Sequence, residues 1–178
     1  MKIIRIINPD SPLMLDIHPD SAMLLPGRPL FLPDWGDGWS VCGHLAVRIG
    51  RLGKNVAVKF ASRYYDAVTV ALRVTLPGCD EAMQGVLSGM DGTIAHGEWL
   101  EPSVAAAPVE ILVGDASLIL PPQAEAIAEA VHQVSRYMTL KMGDVIFLPL
   151  STEPVVLTAG KHLAVDLDGR QVMDLKIV

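Results

Sequence analysis

The longest organised pattern of hydrophobic and polar positions runs from Val41 to Thr75. Apolar and β-branched residues dominate Val41–Ile49 and Val68–Val74, and both runs are of strand length, so each predicts a buried strand. The segment between them begins with a connector around Gly50 and continues through a predicted helical turn at Phe60–Tyr65. We therefore predict a strand pair joined by a crossover.

The rest of the chain alternates short apolar runs with turn residues. Five prolines between residues 12 and 33 predict edge strands and turns there. Apolar residues at helical spacing predict one main helix over 123–138, which follows two prolines. The other predicted elements are a strand at Lys2–Ile7, a short helix at Glu81–Leu87, a hairpin of VEILV and ASLIL around Gly114–Asp115, and a hairpin of His162–Leu167 and Val172–Val178 around Asp168–Gly169.

Composition narrows the class of protein. A chain of 178 residues is predicted to form a single domain, residues 1–178, and its net charge of −6 without a basic cluster argues against a nucleic-acid partner. The hydrophobic fraction of 51% favours a subunit interface. The two cysteines do not suggest a disulfide framework, and no apolar run approaches the ~20 residues of a membrane helix, so we expect a cytoplasmic protein.

Candidate chemistry lies on the first strand of the central pair. Alternation places Cys42 and His44 on one face and Val41 and Leu45 on the other. A thiolate and an imidazole side by side could bind a soft metal, but two ligands do not complete a site, and an inert thiol with a hydrogen-bonded histidine is the alternative. On the second strand, Arg73 interrupts an apolar run and must find a partner or reach solvent.

Four segments carry a resemblance to a known family. They are RIGRLGKN after His44, HPDSA at 18–22, SGMDG at 88–92 and TLKMGDVI at 139–146. Their order and spacing resemble the fumarylacetoacetate hydrolase family. The resemblance implies a mainly β (α+β) fold, a mixed β-sheet roll with one main helix. It also implies a divalent metal, Mg²⁺ or Ca²⁺, held in the family by a Glu-x-Glu pair and an aspartate.

This chain departs from the family at the positions that carry its chemistry. Cys42, His44 and Arg73 stand where the family has its three metal-binding carboxylates, so we expect no metal cofactor. His18 and Ser88 replace two family lysines, and residues 148–151 replace a Gly-Thr-Pro loop. The helix that bears a catalytic histidine in family enzymes has no counterpart between Ile7 and Leu15. The predicted pocket residues are His18, Trp39, Ser88 and Asp91, although Trp39 could instead cover a sheet edge or an interface.

Two functions follow from the resemblance. The favoured one is a pseudoenzyme with a structural, regulatory or small-molecule-binding role. We expect it to form a homodimer or a heteromer with an active relative and to take a small anionic ligand. The alternative is a hydrolase, decarboxylase or isomerase acting on a β-diketo acid such as an acylpyruvate. In that alternative Arg73 is an electrostatic clamp, His44 a base and Cys42 a nucleophile.

Overall fold

The computed structural model describes residues 1–8, 13–150 and 153–178. The mainly β fold class with one main helix is confirmed. The two α-helices are α1 (Glu81–Gly89) and α2 (Ala124–Tyr137), and 3₁₀ turns occupy Asp20–Ala22, Val58–Arg63 and Pro102–Ala106. The strands are β1 (Lys2–Asn8), β2 (Met14–Pro19), β3 (Ser40–Ile49), β4 (Tyr65–Thr75), β5 (Ile94–His96), β6 (Val109–Val113), β7 (Ala116–Leu120), β8 (Val145–Pro149), β9 (Val155–Val156), β10 (His162–Leu167) and β11 (Arg170–Lys176).

The strands form two sheets. The larger has the order β2-β1-β8-β3-β4-β5, with β9 beside β3, and is mixed because β1 and β8 run parallel while the other pairs are antiparallel. The smaller has the order β11-β10-β6-β7. It contains both predicted hairpins, which are confirmed. Gly114, Asp168 and Gly169 have φ of 58°, 52° and 75°, as tight two-residue turns require.

The central strand pair differs from the prediction in its connection. β3 and β4 are antiparallel, and their pairing runs from Ser40 opposite Thr75 to Ile49 opposite Tyr65. The predicted crossover is therefore wrong, because the two strands are linked as a hairpin. The intervening residues fold back over the strand ends, where the Gly50 amide donates to the Tyr64 carbonyl at 2.9 Å. The length of this connection suggested a crossover, but parallel pairing is what would require one.

The two faces of the large sheet have different environments. One face contributes Leu45, Val47 and Val70 to the main core, which also contains side chains of the small sheet and of α2. The other face carries a smaller apolar cluster around Phe147 and Ala46 and, toward β2, lies against α1. Asp80 caps α1 by accepting a hydrogen bond from the Met83 amide at 2.8 Å. Among the described residues, no helix is both long and apolar enough to cross a membrane.

Candidate functional site

Strand register gathers polar side chains on the face of the large sheet that is turned away from the main core. Cα partners on antiparallel strands project to the same face. Cys42 is the partner of Arg73, and Arg5 is the partner of Asp16. His44 lies two residues from Cys42 and on the same face, where its ring stacks on Phe147 with 5.3 Å between centroids. Residues from four strands therefore meet in one polar cluster, although they are distant in sequence.

Helix α1 passes over this cluster and leaves a cleft of about 420 Å³ between itself and the sheet. The sheet supplies the charged floor, α1 supplies one wall, and the ends of β1 and β2 supply the remaining side. The floor consists of Arg5, Asp16 and Arg73, the helix wall of Gln84, Gly85 and Ser88, and the remaining side of Ile7, Met14 and Leu15. A cleft of this volume is in the range of small-molecule sites.

Asp16 is the carboxylate of the cleft, and its neighbours hold it ionised. Arg5 donates to it at 3.0 Å and the Ser88 hydroxyl at 2.8 Å, while His18 Nε2 approaches the same oxygen to 3.2 Å. Burial alone would raise the pKa of Asp16, but the contacts with His18, Ser88 and Arg5 outweigh it and hold the pKa well below its usual range. Nδ1 of the fully buried His18 donates to the Ser88 carbonyl at 2.9 Å. These contacts tie α1 to β2.

Arg73 has no comparable partner. It is 5% exposed, and its Nη1 makes a long hydrogen bond of 3.3 Å to the Val74 carbonyl. Its Nε has no hydrogen-bond partner among the residues that the structure describes. Among the described residues it forms no ion pair, because the nearby carboxylate, Asp16, is bound to Arg5. Burial, and then the charge of Arg5, lowers the pKa of Arg73. The guanidinium is thus a buried cation with which no carboxylate of the described residues forms an ion pair.

His44 lies near both arginines and is uncharged at neutral pH. Its Nδ1 donates to the Cys42 carbonyl at 3.1 Å, which leaves Nε2 as an acceptor. Burial, followed by the charges of Arg73 and Arg5, lowers the pKa of His44 to about 3. A base with so low a pKa has little affinity for a substrate proton at pH 7. This weighs against the role of catalytic base that the sequence allowed for His44.

The cleft contains some of the sequence-predicted residues and not others. Arg73 and Ser88 line it directly, while Cys42, His44 and His18 lie beside them on the same face. Trp39 lies instead in the main core, with its indole bonded to the Trp35 carbonyl at 3.0 Å, and Asp91 is exposed in the turn after α1.

Sequence reasoning missed Arg5, Asp16, Gln84 and Gly85 as cleft residues. A charged residue inside a predicted apolar strand is the one signal that could have identified Arg5, since the same signal singled out Arg73.

The residues present do not fit the hard divalent metal that the family resemblance implies. Mg²⁺, Ca²⁺ and Mn²⁺ prefer several oxygen ligands with negative charge. The three corresponding positions supply a thiol, a neutral imidazole and a guanidinium. Within the described part of the chain, no group of three or more His, Cys, Asp or Glu side chains is placed to hold a metal ion. A soft-metal site at Cys42 and His44 would likewise lack a third ligand of these types.

The fold is a mainly β domain with a polar cleft on one sheet face, and comparison with known families identifies its class. The family model for the fumarylacetoacetate (FAA) hydrolase C-terminal domain matches residues 5–177. The chain belongs to the fumarylacetoacetate hydrolase family. No curated protein matches the sequence significantly.

Solved structures share the fold at low sequence identity. The 5-carboxymethyl-2-hydroxymuconate delta-isomerase from Mycobacterium smegmatis has a TM-score of 0.83 at 21% identity, covering 99% of this chain and 78% of that one. The fumarylpyruvate hydrolase from Pseudomonas aeruginosa, solved with Mn²⁺ and pyruvate, has a TM-score of 0.79 at 16% identity, covering 100% and 89%. These likenesses establish the fold.

Proposed function

We propose that this family member binds a small carboxylate in the cleft beneath α1, without a divalent metal and without catalysing a reaction on it. The observation that carries the proposal is Arg73, a buried cation that lines the cleft and has an unpartnered Nε. An unpaired buried charge is costly, and a carboxylate is the group that matches a guanidinium with two parallel hydrogen bonds. A ligand carboxylate would supply the ion-pair partner that Arg73 lacks among the described residues.

The surroundings of Arg73 support an anion at this place. Arg5 adds a second guanidinium to the cleft, and its Nε also lacks a partner. The neutral His44 adds no positive charge but presents an uncharged ring beside the site. Of the described residues that line the cleft, Asp16 is the acidic one, and Arg5 neutralises it.

The alternative is an enzyme that acts on a β-diketo acid, as a hydrolase, decarboxylase or isomerase. Its support is the shared fold with a fumarylpyruvate hydrolase and a hydroxymuconate isomerase. It requires a base and a group that stabilises an enolate or oxyanion. Arg73 is suited to the second task, but the low pKa of His44 makes it a poor base. We therefore favour binding over catalysis.

Calorimetric titration of the purified chain with pyruvate and with acetate, in buffer containing EDTA, tests the binding proposal. We expect saturable binding that is abolished in Arg73→Met and unchanged when Mg²⁺ replaces EDTA. Arg48→Met is the matched control, because Arg48 is on β3, is 38% exposed and is already paired with Asp66 at 2.7 Å. Equal binding by wild type and Arg73→Met, or no binding by either, would refute the proposal.

A continuous absorbance assay with an acylpyruvate separates the two functions. We expect no turnover by the unmodified chain above the buffer rate, with or without Mg²⁺ or Mn²⁺. Turnover that disappears in Arg73→Ala and persists in Arg48→Met would favour the enzyme and overturn the non-catalytic function.

A further inference from the structure

The cleft extends from its charged floor onto an apolar surface at the ends of β1 and β2. Met14 precedes Asp16 by two residues, so alternation places it on the face of Asp16. Ile7 lies where the register of β1 with β2 shifts, between Ile6 and Asn8, and it reaches the same cleft. Both line the cleft, together with Leu15. Ile7 is 42% and Met14 50% exposed, although both are large apolar side chains. A ligand held by the floor therefore meets exposed apolar surface next to it.

Helix α1 leaves room opposite this apolar surface. Gly85 lies in the middle of α1 and lines the cleft, and a Cβ added there would meet no atom within 4 Å. Glycine weakens a helix interior relative to alanine, and its φ here is not in the left-handed region that would require it. The absence of a side chain keeps the wall of the cleft open along its length.

The charges of the cleft match one anionic group. Arg5 is committed to Asp16, which also contacts His18 and Ser88. In the described part of the chain, Arg73 is then the cleft cation without an ion pair. A second carboxylate at the far end of the ligand would replace an apolar group beside Ile7 and Met14, where a charged group gains no apolar contact.

We propose that the cleft selects a monocarboxylate with an apolar tail, whose carboxylate binds Arg73 and whose tail lies along Ile7 and Met14 opposite Gly85. This inference rests on the proposed function and specifies its ligand class. The carboxylate supplies the counter-charge of Arg73. The tail removes exposed apolar surface from water on both the ligand and the cleft.

Titration with acetate, butanoate, hexanoate and octanoate tests the tail, again in EDTA. We expect the dissociation constant to fall about two- to fourfold for each added methylene, the upper value corresponding to full burial. In adipate, a second carboxylate replaces the terminal methyl group of hexanoate. Adipate should bind at least tenfold more weakly than hexanoate. Hexanamide should show no measurable binding, because it lacks the charge that Arg73 requires.

Variants of the apolar side assign the effect to this surface. Ile7→Thr and Met14→Gln should flatten the dependence on chain length, weakening octanoate binding more than acetate binding. Ile17→Thr is the matched control, because Ile17 is on β2 with 44% exposure but on the opposite face of the sheet. Gly85→Leu fills the open wall and should weaken hexanoate more than tenfold, and its thermal unfolding verifies that it is folded.

The outcomes separate this inference from the function on which it rests. A steep chain-length dependence that is lost in Ile7→Thr and Met14→Gln but kept in Ile17→Thr supports it. Carboxylates that bind with the same affinity at every chain length, or a dependence that Ile17→Thr changes as much as Ile7→Thr, would overturn the apolar tail and leave the carboxylate site standing. Absence of binding by every carboxylate would overturn both.

Discussion

Replacing Arg73 by methionine should make the unliganded protein more stable while removing its ligand site. Arg73 is 5% exposed, and among the described residues its guanidinium has one long hydrogen bond, to the Val74 carbonyl, and no ion pair. The neighbouring charge of Arg5 opposes it further. Methionine keeps an unbranched apolar side chain at this position and removes the buried charge. If Arg73 were retained for its packing alone, Arg73→Met would instead be less stable than wild type.

The size of the effect follows from the cost of a buried charge. Replacing buried ionic groups by apolar side chains of similar volume is often neutral or stabilising by about 1–4 kcal/mol. Arg73 should be in the upper part of that range because it lacks the counter-ion that a buried pair would have. For a chain of this size, 1 kcal/mol shifts the melting temperature by roughly 2–4 °C. We therefore expect a rise of several degrees.

Thermal unfolding followed by circular dichroism, with and without hexanoate, measures both consequences together. Hexanoate should raise the melting temperature of wild type. Arg73→Met should have a higher melting temperature than wild type without hexanoate, and hexanoate should not raise it further. Arg48→Met should change the melting temperature by less than the equivalent of about 1 kcal/mol, because its ion pair is exposed. A loss of more than about 1 kcal/mol in Arg73→Met would show that the guanidinium has protein partners that stabilise it, and the reasoning would fail.

The remaining predictions concern acid stability, helix α1, metal and assembly. His44 has a pKa lowered from 6.5 to about 3, so the unfolded chain binds more protons between these values and stability falls as pH drops below 6.5. The free energy of unfolding should be about 2 kcal/mol lower at pH 5 than at neutral pH, and His44→Gln should reduce this loss. An equal loss in wild type and in His44→Gln would contradict the prediction. Gly85→Ala should raise the melting temperature by roughly 2–4 °C through helix propensity, since its Cβ meets nothing, and a fall would contradict it. Mg²⁺, Ca²⁺ and Mn²⁺ should leave the melting temperature unchanged; a rise abolished by His44→Ala would count against this. We expect a homodimer because large apolar side chains such as Phe31 and Met142 are 73% and 75% exposed, and sedimentation showing only monomer at about 50 μM would contradict it.

Local sequence patterns predicted the elements whose structure is determined locally. The hairpins at Gly114–Asp115 and Asp168–Gly169 follow from turn chemistry, and α2 follows from apolar spacing. Strand β8 was not assigned from sequence, although it lies in the middle of the large sheet. Its five residues pair parallel with β1 and antiparallel with β3, and these neighbours are more than 90 residues away in the chain. No local pattern encodes such pairing.

The sequence predicted only the part of the candidate site that lies on β3 and β4. Alternation placed Cys42 and His44 on one face, and the register of β3 with β4 sets Arg73 opposite Cys42. The sequence also led us to expect that Arg73 finds a partner or reaches solvent. The nearby carboxylate, Asp16, binds Arg5 instead. Whether Asp16 pairs with Arg5 or with Arg73 depends on how β2 and α1 pack on the sheet, which the sequence did not indicate.

The replacements at the family's three metal-ligand positions remove coordination and leave one fixed positive charge. Cys42 is a thiol, His44 is neutral, and Arg73 carries a guanidinium. We expect this charge to retain an attraction for an anion. A guanidinium donates hydrogen bonds from fixed N–H groups, whereas a metal ion is a Lewis acid that polarises a substrate oxygen. On our proposal, Arg73 therefore suits holding a carboxylate and supplies no Lewis acid for a chemical step.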